Sequence, residues 1–304
     1  MMNHFKISMI GFGEAACAFA SGWTRPDGAV VVAYDIKIAD SLSAGQIVAA
    51  CAELDVQHAY EARQSLSDAE IIFSLVTADQ ALPAAQEAAK WLKAGALYFD
   101  CNSCSPSAKI IAAEAIEAAG GCYVDVAVMS PVHPARHLTP LLVSGPHAEA
   151  AIEALEHLGM KPKPAGEKVG QASSIKMLRS VIIKGLEALT AESMLAARRA
   201  GVENAVIASL QASDPGIDWA KRSSYNLERM MVHGARRAAE MREVAATVRD
   251  LGLPDRMSAA IADWQDEIAA LFAPADIDDD LASRADSILK RMDEERDKGA
   301  AAIR

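Results

Sequence analysis

The first residues whose types and spacing suit chemistry form a glycine turn near the start of the chain. Its sequence is Gly11-Phe12-Gly13-Glu14-Ala15-Ala16. An apolar run at residues 5–10 precedes it and a helix-like segment at 17–23 follows, so the turn joins a strand to a helix. Gly11 permits the tight turn, Gly13 lets a pyrophosphate approach the backbone, and Ala16 lets helix and strand pack closely. N–H groups at the helix start would face the phosphates, which predicts a dinucleotide site; the alternative is an ordinary strand–helix turn.

An acidic residue indicates which dinucleotide is expected. The second apolar run ends at Asp35, whose carboxylate can accept hydrogen bonds from both ribose hydroxyls of NAD and would repel the extra phosphate of NADP. The positive charge of Lys37 weakens that repulsion, so NADP remains an alternative cofactor. The alternative role for Asp35 is a strand-end cap. Val76 and Thr77 lie at the end of a later buried apolar run, where the chain would run alongside the cofactor.

Two further strand ends carry polar side chains at the edge where open α/β sheets bind ligands. In the first, residues 100–106, Asn102 and Ser103 either hydrogen-bond a carboxamide or substrate hydroxyl or cap the helix predicted from residue 107. The second, residues 125–134, contains Ser130 and His133. The Cys101–Cys104 spacing lacks a second pair of ligands, so we predict no metal site.

Lys176 lies near the start of a long predicted helix and is a candidate for proton transfer. Five apolar residues form one stripe of this helix: Ile175, Leu178, Ile182, Leu186 and Leu189. Lys176, Ser180, Ile183 and Glu187 share the opposite face. The helix dipole opposes a positive charge at this end and, with burial, would lower the pKa of Lys176 toward the useful range. The alternative is an exposed lysine on a solvated face.

Composition narrows the classes of function. The 304 residues suffice for two domains, and the formal charge of −11 disfavours nucleic acid and anionic membranes as partners. No apolar run is long enough to span a bilayer, and residues 1–6 lead directly into the first strand, so we expect no secretory signal and a cytoplasmic protein. The five scattered cysteines do not indicate a disulfide framework.

Strand and helix patterns alternate as far as residue 158, which predicts a doubly wound parallel sheet with helices on both faces. Residues 161–166 contain two prolines and a glycine and are interpreted as a linker. From residue 173 onward only helical periods follow. We therefore expect a nucleotide-binding domain at residues 1–168 and an all-helical domain at residues 169–304, in which the acidic run 276–280 is a solvated helix start.

Four segments, in this order, together resemble the β-hydroxyacid dehydrogenase superfamily, which includes phosphogluconate and 3-hydroxyisobutyrate dehydrogenases. They are Gly11-Phe12-Gly13-Glu14-Ala15-Ala16, Asp100-Cys101-Asn102-Ser103-Cys104-Ser105-Pro106, Asp125-Val126-Ala127-Val128 and Gly170-Gln171-Ala172-Ser173-Ser174-Ile175-Lys176. They cover about two thirds of the chain. Residues 225–251 resemble the helical C-terminal domain of a poorly characterised phosphogluconate-dehydrogenase-like branch.

The resemblance implies a Rossmann-type domain, a long helix and an all-helical domain that builds a homodimer. It also implies that Lys176 is the catalytic acid–base, that Ser103 binds substrate near the nicotinamide, and that Asn102 matches an asparagine of the phosphogluconate enzymes. His233, with neighbouring arginines, would help bind an anionic substrate, or those arginines pair with nearby glutamates.

The sequence departs from this family at two places. The family's Ser-Gly-Gly substrate loop is Met129-Ser130-Pro131 here, and the asparagine one turn after the catalytic lysine is Ser180. Proline removes a backbone donor, so Ser130 and His133 are the candidates to replace that loop's contacts.

The leading hypothesis is an NAD-dependent dehydrogenase that acts on the hydroxyl of a small, polar, hydroxyacid-like molecule. The alternatives are an imine or ketone reductase on the same scaffold, and a nucleotide-binding regulatory protein without turnover. An imine-reducing activity and an exposed Lys176, respectively, would distinguish them.

Overall fold

The computed structural model describes residues 5–276 and 279–302, with side chains as far as residue 298. Contacts within the chain divide it into two compact units, Met1–Met177 and Leu178–Arg304. The first contains an eight-stranded, mostly parallel sheet, and the described residues of the second are helical or in turns and loops. The α/β class followed by a helical domain is therefore confirmed, whereas the domain boundary at residue 168 stays a prediction.

The sheet of the first unit is built from strands that the described residues place in the order β3-β2-β1-β4-β5-β6-β7-β8. In chain order they are β1 (Lys6–Ile10), β2 (Val30–Tyr34), β3 (Gln57–Ala59), β4 (Ile71–Ser74), β5 (Leu97–Asp100), β6 (Cys122–Val128), β7 (Pro140–Ser144) and β8 (Lys161–Gly166). Neighbouring strands run parallel except β6 and β7, which are antiparallel. The order reverses between β1 and β4, which opens a crevice at the carboxyl ends of these two strands.

Helices cover both faces of this sheet. They are α1 (Glu14–Ala20), α2 (Ala44–Glu53), α3 (Ala62–Leu66), α4 (Ala81–Ala89), α5 (Pro106–Ala118) and α6 (Ala148–His157). Alternate residues of a strand enter two different core clusters: Phe73 and Phe99 belong to one, and Ile72 and Tyr98 to the other. Strands buried on both faces explain the continuous apolar runs of the sequence.

The linker interpretation of residues 161–166 is wrong, because the segment is the strand β8. It pairs in parallel with β7 and forms one edge of the sheet. Pro162 and Pro164 are compatible with an edge strand, because the outer side of its backbone has no neighbouring strand to which N–H groups must donate.

The second unit consists of long helices. They are α7 (Gln171–Arg199), which begins in the first unit, α8 (Glu203–Ser213), α9 (Trp219–Asp250), α10 (Arg256–Ala270) and α11 (Leu281–Ala302). Helices α9 and α10 approach closely at Gly234, where an added Cβ would lie 2.5 Å from the carbonyl oxygen of Gln265. Part of the predicted acidic helix start, Ile277 and Asp278, lies outside the described residues.

The two faces of α7 differ from the usual arrangement of apolar inside and polar outside. The five residues of the apolar stripe are between 41% and 65% exposed. Lys184 and Glu187, on the other side, are buried and paired with residues of α9: Lys184 Nζ lies 2.7 Å from Glu240, and Glu187 accepts hydrogen bonds from the Arg237 guanidinium. Among the described residues no helix combines the length and apolar character needed to cross a bilayer.

Candidate functional site

The glycine turn connects β1 to α1 at the crevice of the sheet. Gly11 has φ +82°, and an added Cβ would lie 2.6 Å from the carbonyl oxygen of Leu75, so both conformation and space require glycine. Gly13 has no atom within 4 Å of the position its Cβ would take. Its missing side chain therefore leaves open space above the turn, which is the space a pyrophosphate needs.

The other residues of the turn have distinct positions. The Phe12 side chain is 1% exposed in the core, so its backbone alone faces the turn. Ala16 is fully buried, as expected where helix and sheet pack closely, whereas Glu14 is exposed and Ala15 is partly buried. Gly13 is the N-cap residue of α1 and makes no side-chain cap. The first N–H groups of a helix lack partners within it, so these donors suit an anionic ligand.

Asp35 lies directly beside the turn. Its Oδ2 accepts a hydrogen bond of 2.9 Å from the Phe12 N–H, and its Oδ1 accepts one of 2.9 Å from the Lys37 N–H. Each carboxylate oxygen has a second lone pair, so the group can still receive ribose hydroxyls. The turn, the open side at Gly13 and this carboxylate fit a dinucleotide.

Asn102 joins the loop after β5 to the loop after β4. It is 5% exposed, its Oδ1 accepts from the Val76 N–H at 2.7 Å, and its Nδ2 donates to Ser74 and Asp100. The side chain therefore holds two strand ends together and does not cap the following helix, which begins at Pro106. Val76 and Thr77 lie at this edge, half-buried and exposed respectively.

Lys176 and Ser103 meet within the first unit. Lys176 Nζ donates a hydrogen bond of 2.6 Å to Ser103 Oγ, although the residues are far apart in sequence. Both side chains are half-buried. Because α7 begins at Gln171, Lys176 lies in its second turn, where the helix dipole acts weakly.

Beneath this pair lies a fully buried ion cluster. Asp100 and Asp125 occupy paired positions on β5 and β6, and Lys109 Nζ of α5 lies 3.2 Å from the first carboxylate and 3.3 Å from the second. All three side chains have zero exposure. Burial alone would lower the pKa of Lys109, but the two carboxylates outweigh it and raise that pKa, so the lysine stays charged.

Each aspartate of this cluster holds a different part of the site. Asp100 accepts the backbone and side-chain N–H groups of Asn102 and the hydroxyl of Tyr123. Asp125 accepts the N–H of Gly170 and both the N–H and the hydroxyl of Ser173. The first aspartate thus fixes the loop that carries Ser103, and the second fixes the start of the helix that carries Lys176.

Ser130 and His133 lie in the loop that follows β6, at the carboxyl end of that strand. Both are exposed, and the Ser130 hydroxyl donates to the Pro131 carbonyl oxygen at 3.3 Å. The structure thus puts them on the ligand edge of the sheet.

The predicted residues Ser180 and His233 belong to the second unit. Ser180 is 8% exposed and His233 is half-buried. Burial and the nearby Arg229 and Arg236 lower the pKa of His233, which favours the neutral imidazole. Arg236 pairs with Glu240 at the surface, as the salt-bridge alternative predicted, whereas Arg237 pairs with Glu187 in the interior.

The cysteine pair 101–104 lies in the buried part of the loop after β5. Cys101 is 5% exposed and Cys104 is 1% exposed. Burial raises the pKa of the Cys101 thiol to about 12, which leaves little of the reactive thiolate at neutral pH.

Lys109 was not predicted as part of the site. One signal was available: Lys109 is spaced three, four and seven residues before Ala112, Ala113 and Ile116, which form the buried face of α5. A lysine on the inner face of a helix predicts a buried partner of opposite charge.

Two family models match the chain. The NAD binding domain of 6-phosphogluconate dehydrogenase matches residues 6–162, and a domain of unknown function (DUF1932) matches residues 197–268. The first model spans about half of the chain and covers the sheet up to β8. The first unit is therefore an NAD(P)-binding domain.

Similar solved structures extend over both units. A conserved hypothetical protein from Sinorhizobium meliloti 1021 is 37% identical, with TM-score 0.76 over 95% of this chain and 97% of that chain. The conserved protein MTH1747, of unknown function and structurally similar to 3-hydroxyacid dehydrogenases, is 29% identical, with TM-score 0.70 over 88% and 97%. The 3-hydroxyisobutyrate dehydrogenase of Mycobacterium tuberculosis, solved with L-serine, is 15% identical, with TM-score 0.72 over 94% and 98%, which shows the shared fold.

Proposed function

The chain belongs to the family of the 6-phosphogluconate dehydrogenase NAD-binding domain, and on that premise we propose that it is an NAD(P)-dependent dehydrogenase of a small, polar hydroxyacid. The observation that carries the proposal is the contact of 2.6 Å between Lys176 Nζ and Ser103 Oγ. A buried cluster supports both residues, and both lie in the unit that binds the cofactor. This is the arrangement expected of a general acid–base and a substrate-binding hydroxyl.

Lys176 and Ser103 have complementary roles in this proposal. The bound nicotinamide supplies the hydride acceptor or donor. Neutral Lys176 takes the proton of the substrate hydroxyl as the hydride leaves the same carbon, and in the reverse direction its ammonium returns that proton to the developing alkoxide. Ser103 accepts a hydrogen bond from Lys176 and can donate its own to the substrate oxygen, so it holds that oxygen next to Nζ.

The remaining predicted residues are assigned to the polar part of the substrate. Ser130 and His133 present exposed polar side chains at the ligand edge, where Pro131 lacks a backbone N–H. Ser180 and His233, which the sequence also predicts to bind substrate, belong to the helical unit and stay predictions. A carboxylate is the favoured substrate group, because it can accept hydrogen bonds from hydroxyls and imidazole.

NAD is the proposed cofactor, with NADP as the alternative. The Asp35 carboxylate is oriented by two backbone N–H groups beside the glycine turn. A fixed negative charge there suits two ribose hydroxyls and disfavours a phosphate. Exposed Lys37 is the residue that would reduce this preference.

A homodimer through the helical domain is part of the proposal. Leu178, Ile182, Leu186 and Leu189 form a continuous exposed apolar stripe on α7. Spacings of three and four let such a stripe pack against a second copy of itself, with water excluded from both. Analytical ultracentrifugation of the wild type and the Ile182→Glu variant tests this proposal. We expect the variant to sediment as a monomer, and a particle mass equal to that of a wild-type dimer contradicts the proposal.

The proposed setting is the cytoplasm. The described residues contain no disulfide, and Cys51, Cys101 and Cys104 are buried. Reduced, buried thiols are usual for proteins of that compartment.

The function is tested by a panel of hydroxyacids, amines and imines assayed with NAD and NADP in both directions. We expect hydride transfer with a hydroxyacid and a loss of about 10²- to 10⁴-fold in kcat for Lys176→Ala, with cofactor affinity retained. Lys168→Ala, an exposed lysine of the same unit, is the matched control. Turnover with amines or imines only would establish the reductase instead, and cofactor binding without turnover would favour the regulatory alternative.

A further inference from the structure

The charge balance of the buried cluster is unusual for a protein interior. Asp100 and Asp125 are aligned on adjacent strands, both with zero exposure, so two carboxylates lie side by side in a dry region. Like charges at such positions repel unless a cation lies between them or one takes up a proton. Lys109 is the cation, with its Nζ also donating to the Asp100 carbonyl oxygen at 2.5 Å.

The two carboxylates lead to the two reacting side chains by short covalent and hydrogen-bonded paths. Asp100 fixes Asn102, and the next residue in the chain is Ser103. Asp125 fixes Ser173 through its N–H and its hydroxyl, and Lys176 follows one turn later on the same helix. Lys109 links both supports through its contacts with Asp100 and Asp125.

We propose that Lys109 is a positioning residue whose ammonium, held between Asp100 and Asp125, sets the contact between Ser103 and Lys176. Without the cation, one carboxylate takes up a proton to avoid the repulsion. A protonated carboxyl accepts fewer hydrogen bonds, so either the Asn102 loop or the start of α7 loses part of its support. This inference rests on the proposed function for its catalytic consequence, but not for its structural test.

The structural test measures the Lys176 amine directly. Brief acetylation with acetic anhydride, followed by mass spectrometry of the peptide that contains Lys176, gives the rate of modification as a function of pH. The variants are Lys109→Met, which removes the charge at similar volume, and Lys109→Arg, which retains it. Exposed Lys168 serves as the internal reference for the reagent. Lys184→Met, at a buried lysine of the helical unit paired with Glu240, is the matched control for removal of an ion pair.

We expect Lys109→Met to raise the Lys176 acetylation rate several-fold and to alter its pH profile, because the amine is released from Ser103. Lys109→Arg should restore most of the wild-type profile, and Lys184→Met should leave it unchanged. Cofactor affinity measured by calorimetry should stay close to wild type in Lys109→Arg and Lys184→Met. A folded Lys109→Met protein with the wild-type rate at Lys176, or a lower one, overturns the proposal.

A milder variant decides the question if Lys109→Met does not fold. Ser173→Ala removes the hydroxyl that donates to Asp125 Oδ1 at 2.5 Å and leaves the ion cluster in place. The proposal expects the acetylation rate of Lys176 to rise by a smaller factor than in Lys109→Met. An unchanged rate overturns the proposal.

The catalytic consequence is measured separately, once a substrate has been found. Lys109→Met should lower kcat by about 10²-fold, as misplacement of reacting groups does, with a smaller effect on KM. In a Lys176→Ala background, Lys109→Met should lower kcat little further, because its effect acts through Lys176. If Lys109→Met instead damaged the structure in general, its loss of kcat would add to that of Lys176→Ala. If acetylation changes as expected but Lys176→Ala turns over normally, the catalytic role of Lys176 fails and the positioning by Lys109 stands.

Discussion

Lys176 Nζ and Ser103 Oγ lie 2.6 Å apart, although 73 residues separate them in the chain. One side chain comes from the second turn of α7 and the other from the loop that follows β5. Two buried aspartates on adjacent strands hold residues close to each partner: Asp100 accepts the backbone N–H of Asn102, and Asp125 accepts that of Ser173. In the proposed function this lysine and serine transfer one proton at the ligand edge of the nucleotide-binding sheet, where the hydride is exchanged.

The Ser103 hydroxyl is predicted to contribute to turnover. Ser103→Ala removes one hydrogen bond in the pair, and we expect kcat/KM to fall about tenfold, the effect of a net hydrogen bond of about 1.4 kcal/mol. Ser103→Thr keeps the hydroxyl and should retain most activity. Steady-state kinetics with the substrate found in the panel provide the measurement, and equal activity of the alanine and threonine variants would argue against a role for the hydroxyl.

Alanine substitutions at Gly11 and Gly13 are predicted to impair different properties: stability at Gly11 and cofactor affinity at Gly13. At Gly13 no atom meets the new Cβ, so the free energy of unfolding should change by less than about 0.5 kcal/mol, while NAD(P) affinity falls about tenfold or more because the methyl group occupies the approach to the backbone. At Gly11 the Cβ meets the Leu75 carbonyl oxygen and φ is +82°, so the variant should lose about 1–3 kcal/mol of stability.

Denaturant unfolding and calorimetric titration separate the two glycine variants. Wild-type affinity in a folded Gly13→Ala protein would mean that the cofactor phosphates do not approach this part of the turn.

The fold was largely predictable because the first 160 residues repeat one local pattern. Continuous apolar runs indicate parallel strands, and the glycine turn indicates where the first of them ends. The strand β8 was missed because two prolines in six residues weigh against a strand, and the sequence does not reveal which strand will form an edge. Edge position is a property of the whole sheet and not of the segment.

The site was predictable only where a motif stands next to a strand end. Asn102 and Ser103 were predicted from such a motif, and Lys176 from its place near a helix start and from the family resemblance. The link between them through Lys109 was not predicted, because it joins two strands and a helix that are distant in the chain. The apolar stripe of α7 shows a related limit. Periodicity indicates that a helix has two faces, whereas the partner of each face depends on tertiary or quaternary packing. The polar face of this helix is buried against α9, because Lys184 and Glu187 find charged partners there.

Asp35 is predicted to control the choice of cofactor. Asp35→Ser removes the charge beside the glycine turn, so we expect weaker NAD binding, by about tenfold, and a relative gain for NADP. Lys37→Ala should act in the opposite sense, since it removes the positive charge that softens repulsion of the phosphate. Titration of each variant with both cofactors measures the ratio of the two affinities, and a ratio unchanged in Asp35→Ser would refute this assignment.

Gly234 is predicted to be required for the packing of α9 on α10. An alanine Cβ would lie 2.5 Å from the backbone oxygen of Gln265 and 2.9 Å from Ala269 Cβ, so the helices must separate. We expect a loss of about 1–3 kcal/mol. Gly185→Ala on α7 is the control, because its nearest neighbour is the flexible end of Ile261 at 3.3 Å, and the loss should be near zero. Comparable unfolding midpoints for the two variants would contradict the close packing at Gly234.

His137 is predicted to make stability depend on pH in the acid range. Burial, with Arg136 and Lys161 nearby, lowers the pKa of His137, and its Nδ1 is buried without a hydrogen-bond partner among the described residues. The unfolded chain therefore binds a proton at His137 more readily than the folded protein does. The stabilisation that neutral His137 contributes is fully present above pH 6.5, and it is lost as the pH falls below that value toward the lowered pKa of the folded state. His137→Gln should remove it: the difference in melting temperature between wild type and variant should be largest at pH 7.5 and shrink steadily toward pH 5. A difference that stays constant across this range would show that His137 keeps the same protonation in the folded and unfolded states.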